Sequence, residues 1–95
     1  MSSIDHWRDK IDKIDRKLVD LLNERAQYAD EIGKIKEQMG IEAYSPKREK
    51  EVIDNIVKFN KGPLNALAMR RLLERIIDES RKLEREAMSE RKKIQ

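Results

Sequence analysis

The 95-residue chain has room for one domain with a modest core, and not for a catalytic domain plus a regulatory one. Charged residues make up 43% of it and aromatics 4%, with three glycines and two prolines, a composition that suits long, solvent-washed helices and leads us to expect an all-α fold. The absence of cysteine excludes a disulfide framework, a thiolate metal site and a cysteine nucleophile, while 22 basic and 19 acidic residues interspersed to a net charge of +3 lack the one-faced basic stripe of a nucleic-acid binder.

The first residues, MSSIDHW, carry no apolar signal region, and no stretch approaches the ~20 apolar residues of a membrane span. A soluble cytoplasmic protein, with neither membrane nor nucleic acid as partner, is expected.

The first helix is predicted over residues 4–39, where Ile4, Trp7, Ile11, Ile14, Leu18, Leu21, Arg25, Tyr28, Ile32, Ile35 and Met39 recur at spacings of three and four. Ser2 or Ser3 can cap its start, Asp5 suits the positive end of its dipole, and Gly40 can end it. Gly33 lowers helix propensity without breaking the run.

Ser45-Pro46, a cap followed by a first-turn proline, opens a second helix over 46–60, with Val52, Ile53, Ile56 and Val57 on one face and Gly62-Pro63 closing it. The third helix is expected over 64–90, starting between Pro63 and Asn65. Its buried stripe is Leu67, Met69, Leu72, Leu73, Ile76, Ile77, Ser80, Leu83 and Ala87, and the polar tail over 91–95 should fray.

A first helix of about 35 residues is about 50 Å long at 1.5 Å per residue, whereas a compact globule of this size is about 30 Å across. It must project beyond its own chain and find cover for its apolar seam on a second copy, so an interlocked homodimer is expected.

Several residues break these patterns in a way that bears on chemistry. Arg25 falls on the seam at the position where Ile4, Ile11, Leu18, Ile32 and Met39 recur. A buried guanidinium needs an anion, and on seam position alone that anion can be a ligand's carboxylate, a protein carboxylate, or neither if the residue only fixes helix register. Lys36 follows three turns later within about 40° of the same face, so the two can border one cavity, although a lysine there is equally at home in solvent.

Arg48 and Glu49 open the second helix ahead of its apolar stripe, where they can turn toward a neighbouring helix or form an ordinary charged first turn. Ser80 interrupts the third stripe, with Glu84 one turn further on the same side. A mid-helix serine can also simply bond back to the preceding turn. His6 is the single histidine, so Ser-His catalysis and histidine metal sites have no second partner, and it is read as a surface residue.

Taken together these positions carry a resemblance. WRDKIDKIDRKLVDLLNERAQYADEIGKIK, then SPKREKEV, then LLERIIDESRKLERE resembles the all-helical chorismate mutases over nearly the whole chain, in order and at the family's spacing. Its specificity lies in the combination of R-x-x-I-D-x-I-D, L-L-x-E-R, G-x-x-K, R-E and I-I-x-x-S-x-x-x-E.

The resemblance implies a dimer of three-helix chains that rearranges chorismate to prephenate without metal or cofactor, each site being completed by an arginine of the other chain. Arg25, Lys36, Ser45, Arg48, Glu49, Ser80 and Glu84 would line one site and bind substrate, and Arg8 would enter the partner's. Arg25 and Arg8 would hold the two carboxylates, with Arg48 a third cation nearby. Lys36 and Glu84 would donate hydrogen bonds to the ether oxygen, and Glu49 would hold the substrate hydroxyl. Lys36, Glu84 and Arg25 are thus the catalytic candidates. Arg8 cannot serve its own chain's site, because it stands 28 residues from Lys36, about 42 Å along one helix.

Two positions depart from the family's pattern: Ser45, where relatives often have Asp, and Glu84, where several have Gln. A carboxyl donates only when protonated, so activity is expected to fall as pH rises through the Glu84 pKa and to flatten in Glu84→Gln. Two further readings remain open, an isochorismate-pyruvate lyase of the same fold and a non-catalytic helical dimerisation module.

Overall fold

The computed structural model describes residues 3–94, which form three helices and, among the described residues, no strand. These are α1 (Ser3–Met39), α2 (Pro46–Phe59) and α3 (Ala66–Ile94). α3 is the spine: α1 and α2 each pack on it, and not on each other.

The helix ends follow from local chemistry. Ser3 already lies inside α1 and is not its cap, and Ser2 falls outside the described residues. At the other end Gly40 adopts φ +69°. That left-handed turn lets Gly40 N–H donate to Glu37 O at 3.2 Å and Ile41 N–H to Lys36 O at 2.8 Å, the paired bonds of a Schellman ending.

Ser45 caps α2 with Pro46 in its first turn, and Asn60 ends it one residue short of the expected 60. α3 starts at Ala66, not 64, because Asn65 is its cap: the Asn65 Oδ1 accepts from Ala68 N–H at 2.8 Å.

The C-terminal end departs most from expectation. Residues 91–94 are helical instead of fraying, because Arg91 Nε and Nη2 donate to Glu37 Oε2 of α1 at 3.1 and 2.6 Å. Lys93 adds a bridge to Glu90, and the basic last turn complements the helix dipole.

Little of the chain is enclosed. Ile53 and Leu73 are the buried hydrophobics, joined by Gly33 of α1. Leu67, Leu72 and Leu83, expected inside the α3 stripe, stay about half exposed.

On α1 the seam residues Ile4, Trp7, Ile11, Ile14, Leu18 and Leu21 are all exposed. The molecule measures 58 × 30 × 15 Å with a radius of gyration of 17.1 Å, against about 12–13 Å for a compact chain of this length. Its accessible surface is 8214 Å², against about 5,700 Å² for a globular monomer of the same mass.

Candidate active site

The chain reversal after α1 builds one wall of a cavity. Lys36 is anchored at both ends by the connector it precedes, its carbonyl accepting from Ile41 N–H and its Nζ donating to Ala43 O at 3.2 Å. The ammonium is thereby turned inward over residues 43–45.

The cavity, of about 300 Å³, lies between the second half of α1, the start of α2 and the middle of α3. Ile32, Val52 and Ile77 form its apolar walls, and four cations, Arg25, Lys36, Arg48 and Arg81, face it together with two carboxyls, Glu49 and Glu84. Positive charge is therefore in excess, as a small polyanionic ligand requires.

Arg25 is the most informative of the four. Its Nη1 donates to Ser80 Oγ at 3.4 Å, and among the described residues it meets no protein carboxylate. The internal ion pair left open from the sequence does not form, so a part-buried guanidinium is aimed into a cavity without a counter-ion.

On α2, Ser45 Oγ accepts from Arg48 N–H at 3.3 Å, which closes the first turn and sets Arg48 and Glu49 one residue apart on the cavity rim. Arg48 is largely exposed and 3.7 Å from Glu51. Glu49 Oε1 accepts from Arg81 Nη2 at 2.6 Å across the α2–α3 interface.

Glu84 closes the far wall against Gly33, where a Cβ would meet Glu84 Cδ at 3.6 Å. Partial burial raises its carboxyl pKa above the ordinary 4.5; the Asp30 charge adds to this, while Lys36 and Arg81 oppose it. Glu84 lines the same cavity as the Lys36 ammonium, and a carboxyl there can donate a hydrogen bond when it is protonated.

The structure thus brings seven sequence-selected residues, Arg25, Lys36, Ser45, Arg48, Glu49, Ser80 and Glu84, to one cavity. Arg8 is not among them; it lies on the exposed N-terminal half of α1. Sequence reasoning passed over Tyr28, Tyr44 and Arg81, which also line it. His6 is exposed, edge-on to Trp7 at 4.9 Å. Among the described residues no group of three or more His, Cys, Asp and Glu could hold a metal ion, and no helix is long and apolar enough to cross a membrane.

Three helices around a cation-walled, partly apolar cavity define an all-α module for a small organic anion. The profile of the chorismate mutase type II family matches residues 7–85, and the chain belongs to that family.

Among its relatives is the bifunctional chorismate mutase/prephenate dehydratase of Neisseria gonorrhoeae, 41% identical over 78 residues, or 82% of this chain; the match spans 21% of that longer protein. Among solved structures, chorismate mutase (form II) from Thermus thermophilus superposes with a TM-score of 0.87 at 32% identity, covering 88% of this chain and 96% of that one. Chorismate mutase from Helicobacter pylori in complex with prephenate gives 0.84 at 30% identity, covering 92% and 94%.

Proposed function

We propose that this chain is a chorismate mutase that converts chorismate to prephenate for phenylalanine and tyrosine biosynthesis, acting in the cytoplasm as an intertwined homodimer. The observation that carries the reading is Arg25, part-buried and directed into the cavity with no carboxylate among the described residues to neutralise it.

The reaction is an intramolecular rearrangement in which the ether C–O bond breaks as a C–C bond forms, with no proton gained or lost overall. It needs a compact substrate conformer and stabilisation of negative charge growing on the ether oxygen. Arg25, Arg48 and Arg8 of the partner subunit hold the two carboxylates, and Ser80 steadies Arg25 by accepting from it. Lys36 and the protonated Glu84 donate to the ether oxygen. Glu49 accepts from the substrate hydroxyl through the oxygen that Arg81 leaves free, and Ser45 borders the same end.

The dimer is supported by area. The chain exposes about 2,500 Å² more than a monomer of its mass should, on the scale of an obligate interface, and the uncovered seam of α1 is the apolar surface that a second copy would cover.

Loss of chorismate absorbance with purified protein, and identification of the product, tests the proposal. Prephenate formation is expected. Release of pyruvate from isochorismate with chorismate left intact would instead make it the lyase, and a folded dimer inert to both would leave only a dimerisation module.

A further inference from the structure

Arg81 stands one residue beyond Ser80 and ties α3 to the start of α2 and to the connector before it. Its Nη2 donates to Glu49 Oε1 at 2.6 Å and to Asp78 Oδ1 at 3.2 Å, and its guanidinium carbon lies 4.5 Å from the centre of the Tyr44 ring. Besides the main cavity it walls a second one behind it, of about 210 Å³, shared with Gly33, Glu84 and Met88. Its Nε is buried and has no hydrogen-bond partner.

Tyr44 and Glu49 lie on either side of the turn that carries Ser45 and Arg48, so one guanidinium grips that turn from both ends. This grip matters because α2 packs on α3 and not on α1. Two ion pairs join α2 to α3, Arg70–Asp54 at 3.6 Å and Arg81–Glu49 at 2.6 Å; of the two, Arg81–Glu49 is the one at the cavity, where it helps place Arg48 and Glu49 opposite Arg25 and Lys36 of α1. Arg81 also differs from Arg25 in kind: two protein carboxylates already share its Nη2, whereas Arg25 has none.

We propose that Arg81 is a positioning residue, which holds the Glu49 carboxylate and the Tyr44–Ser45 turn in register with α1, and not a further substrate-binding cation. This rests on the mutase reading above. A planar guanidinium suits this place because it bonds Glu49 at its edge while its flat face lies over the Tyr44 ring, whereas an ammonium has no flat face to stack.

A double-mutant cycle on the full chain tests it, with Arg81→Met, Glu49→Gln and the pair together, and Arg81→Lys as the conservative variant. Arg81→Met is expected to lower kcat/KM by about 10- to 100-fold, and the double variant to stay within about threefold of the weaker single one, because Arg81 acts through Glu49. Arg81→Lys should fall between Arg81→Met and the wild type. Losses that multiply in the double variant, or Arg81→Met within about twofold of the wild type, would overturn the proposal.

The thermal midpoints of the same four proteins read the tie without turnover: coupled shifts are expected, and additive ones would remove it. If the wild type leaves chorismate untouched, the mutase reading fails and the catalytic side of Arg81 with it, whereas non-coupled kinetics in an active enzyme would sink the Arg81 assignment alone.

Discussion

Glu84 of α3 rests against the bare backbone of Gly33 on α1, 3.6 Å from where a Cβ would stand. That spacing is ordinary van der Waals contact, so a methyl fits and a larger group does not. Gly33→Ala should raise stability by up to about 1 kcal/mol from helix propensity, and keep kcat/KM within a few-fold of the wild type. Gly33→Leu should drive Glu84 into the cavity and lower kcat/KM by about 10- to 100-fold while circular dichroism stays helical. Thermal unfolding and steady-state kinetics on the two variants read both effects.

On the proposed mechanism Glu84 should also set the pH dependence. Its carboxyl pKa is raised, first by desolvation, with Asp30 adding and Lys36 and Arg81 opposing. In the proposed mechanism the neutral acid is the donor, so kcat/KM is expected to be highest below the raised pKa and to decline as pH passes through it. Stability runs the same way: between the ordinary 4.5 and the raised value the folded chain holds the proton more tightly than the unfolded one, so this contribution is lost as pH rises through that window. Glu84→Gln should remove the kinetic decline, and Asp30→Asn should move it to lower pH by withdrawing a nearby negative charge. A wild-type profile flat from acid to alkaline pH would take Glu84 out of the donor role.

Arg25 separates ligand binding from folding. Since it pairs with no described protein carboxylate, Arg25→Leu orphans no buried anion and should leave thermal stability unchanged or higher. The same change should lower kcat/KM by about 30- to several-thousand-fold, the equivalent of the 2–5 kcal/mol carried by a desolvated charge pair. Loss of the fold in this variant, seen by circular dichroism, would mark Arg25 as structural.

The helices were legible in the sequence because their signals are local and periodic. The three-four repeat of α1, the Ser45-Pro46 start of α2 and the Gly40 stop each encode themselves within a few residues. The distance that keeps Arg8 from its own chain's cavity followed from helix rise alone. What was hidden depends on long-range contacts: Arg91 holds the last turn through Glu37, 54 residues away, which no local pattern announces.

Arg81 was hidden for a related reason. One step past Ser80 it is rotated off the buried stripe and reads as solvent-facing, and its role appears only once Gly40 has turned Tyr44 back under it. Asn65, by contrast, is an N-cap residue type that a closer reading of the loop would have placed correctly. Ser45 fills its place as the α2 cap through its hydroxyl, which accepts from Arg48 N–H.

The site geometry and the proposed dimer meet in Arg8, which must act in the other chain if it acts at all. Arg8→Ala and Arg25→Ala, each nearly inactive alone, should regain activity when refolded together, because a mixed dimer holds one site with both arginines intact. Turnover approaching about a quarter of the wild-type value is expected from random pairing. A mixture no more active than its two components, or full activity in Arg8→Ala alone, would contradict a site shared between chains.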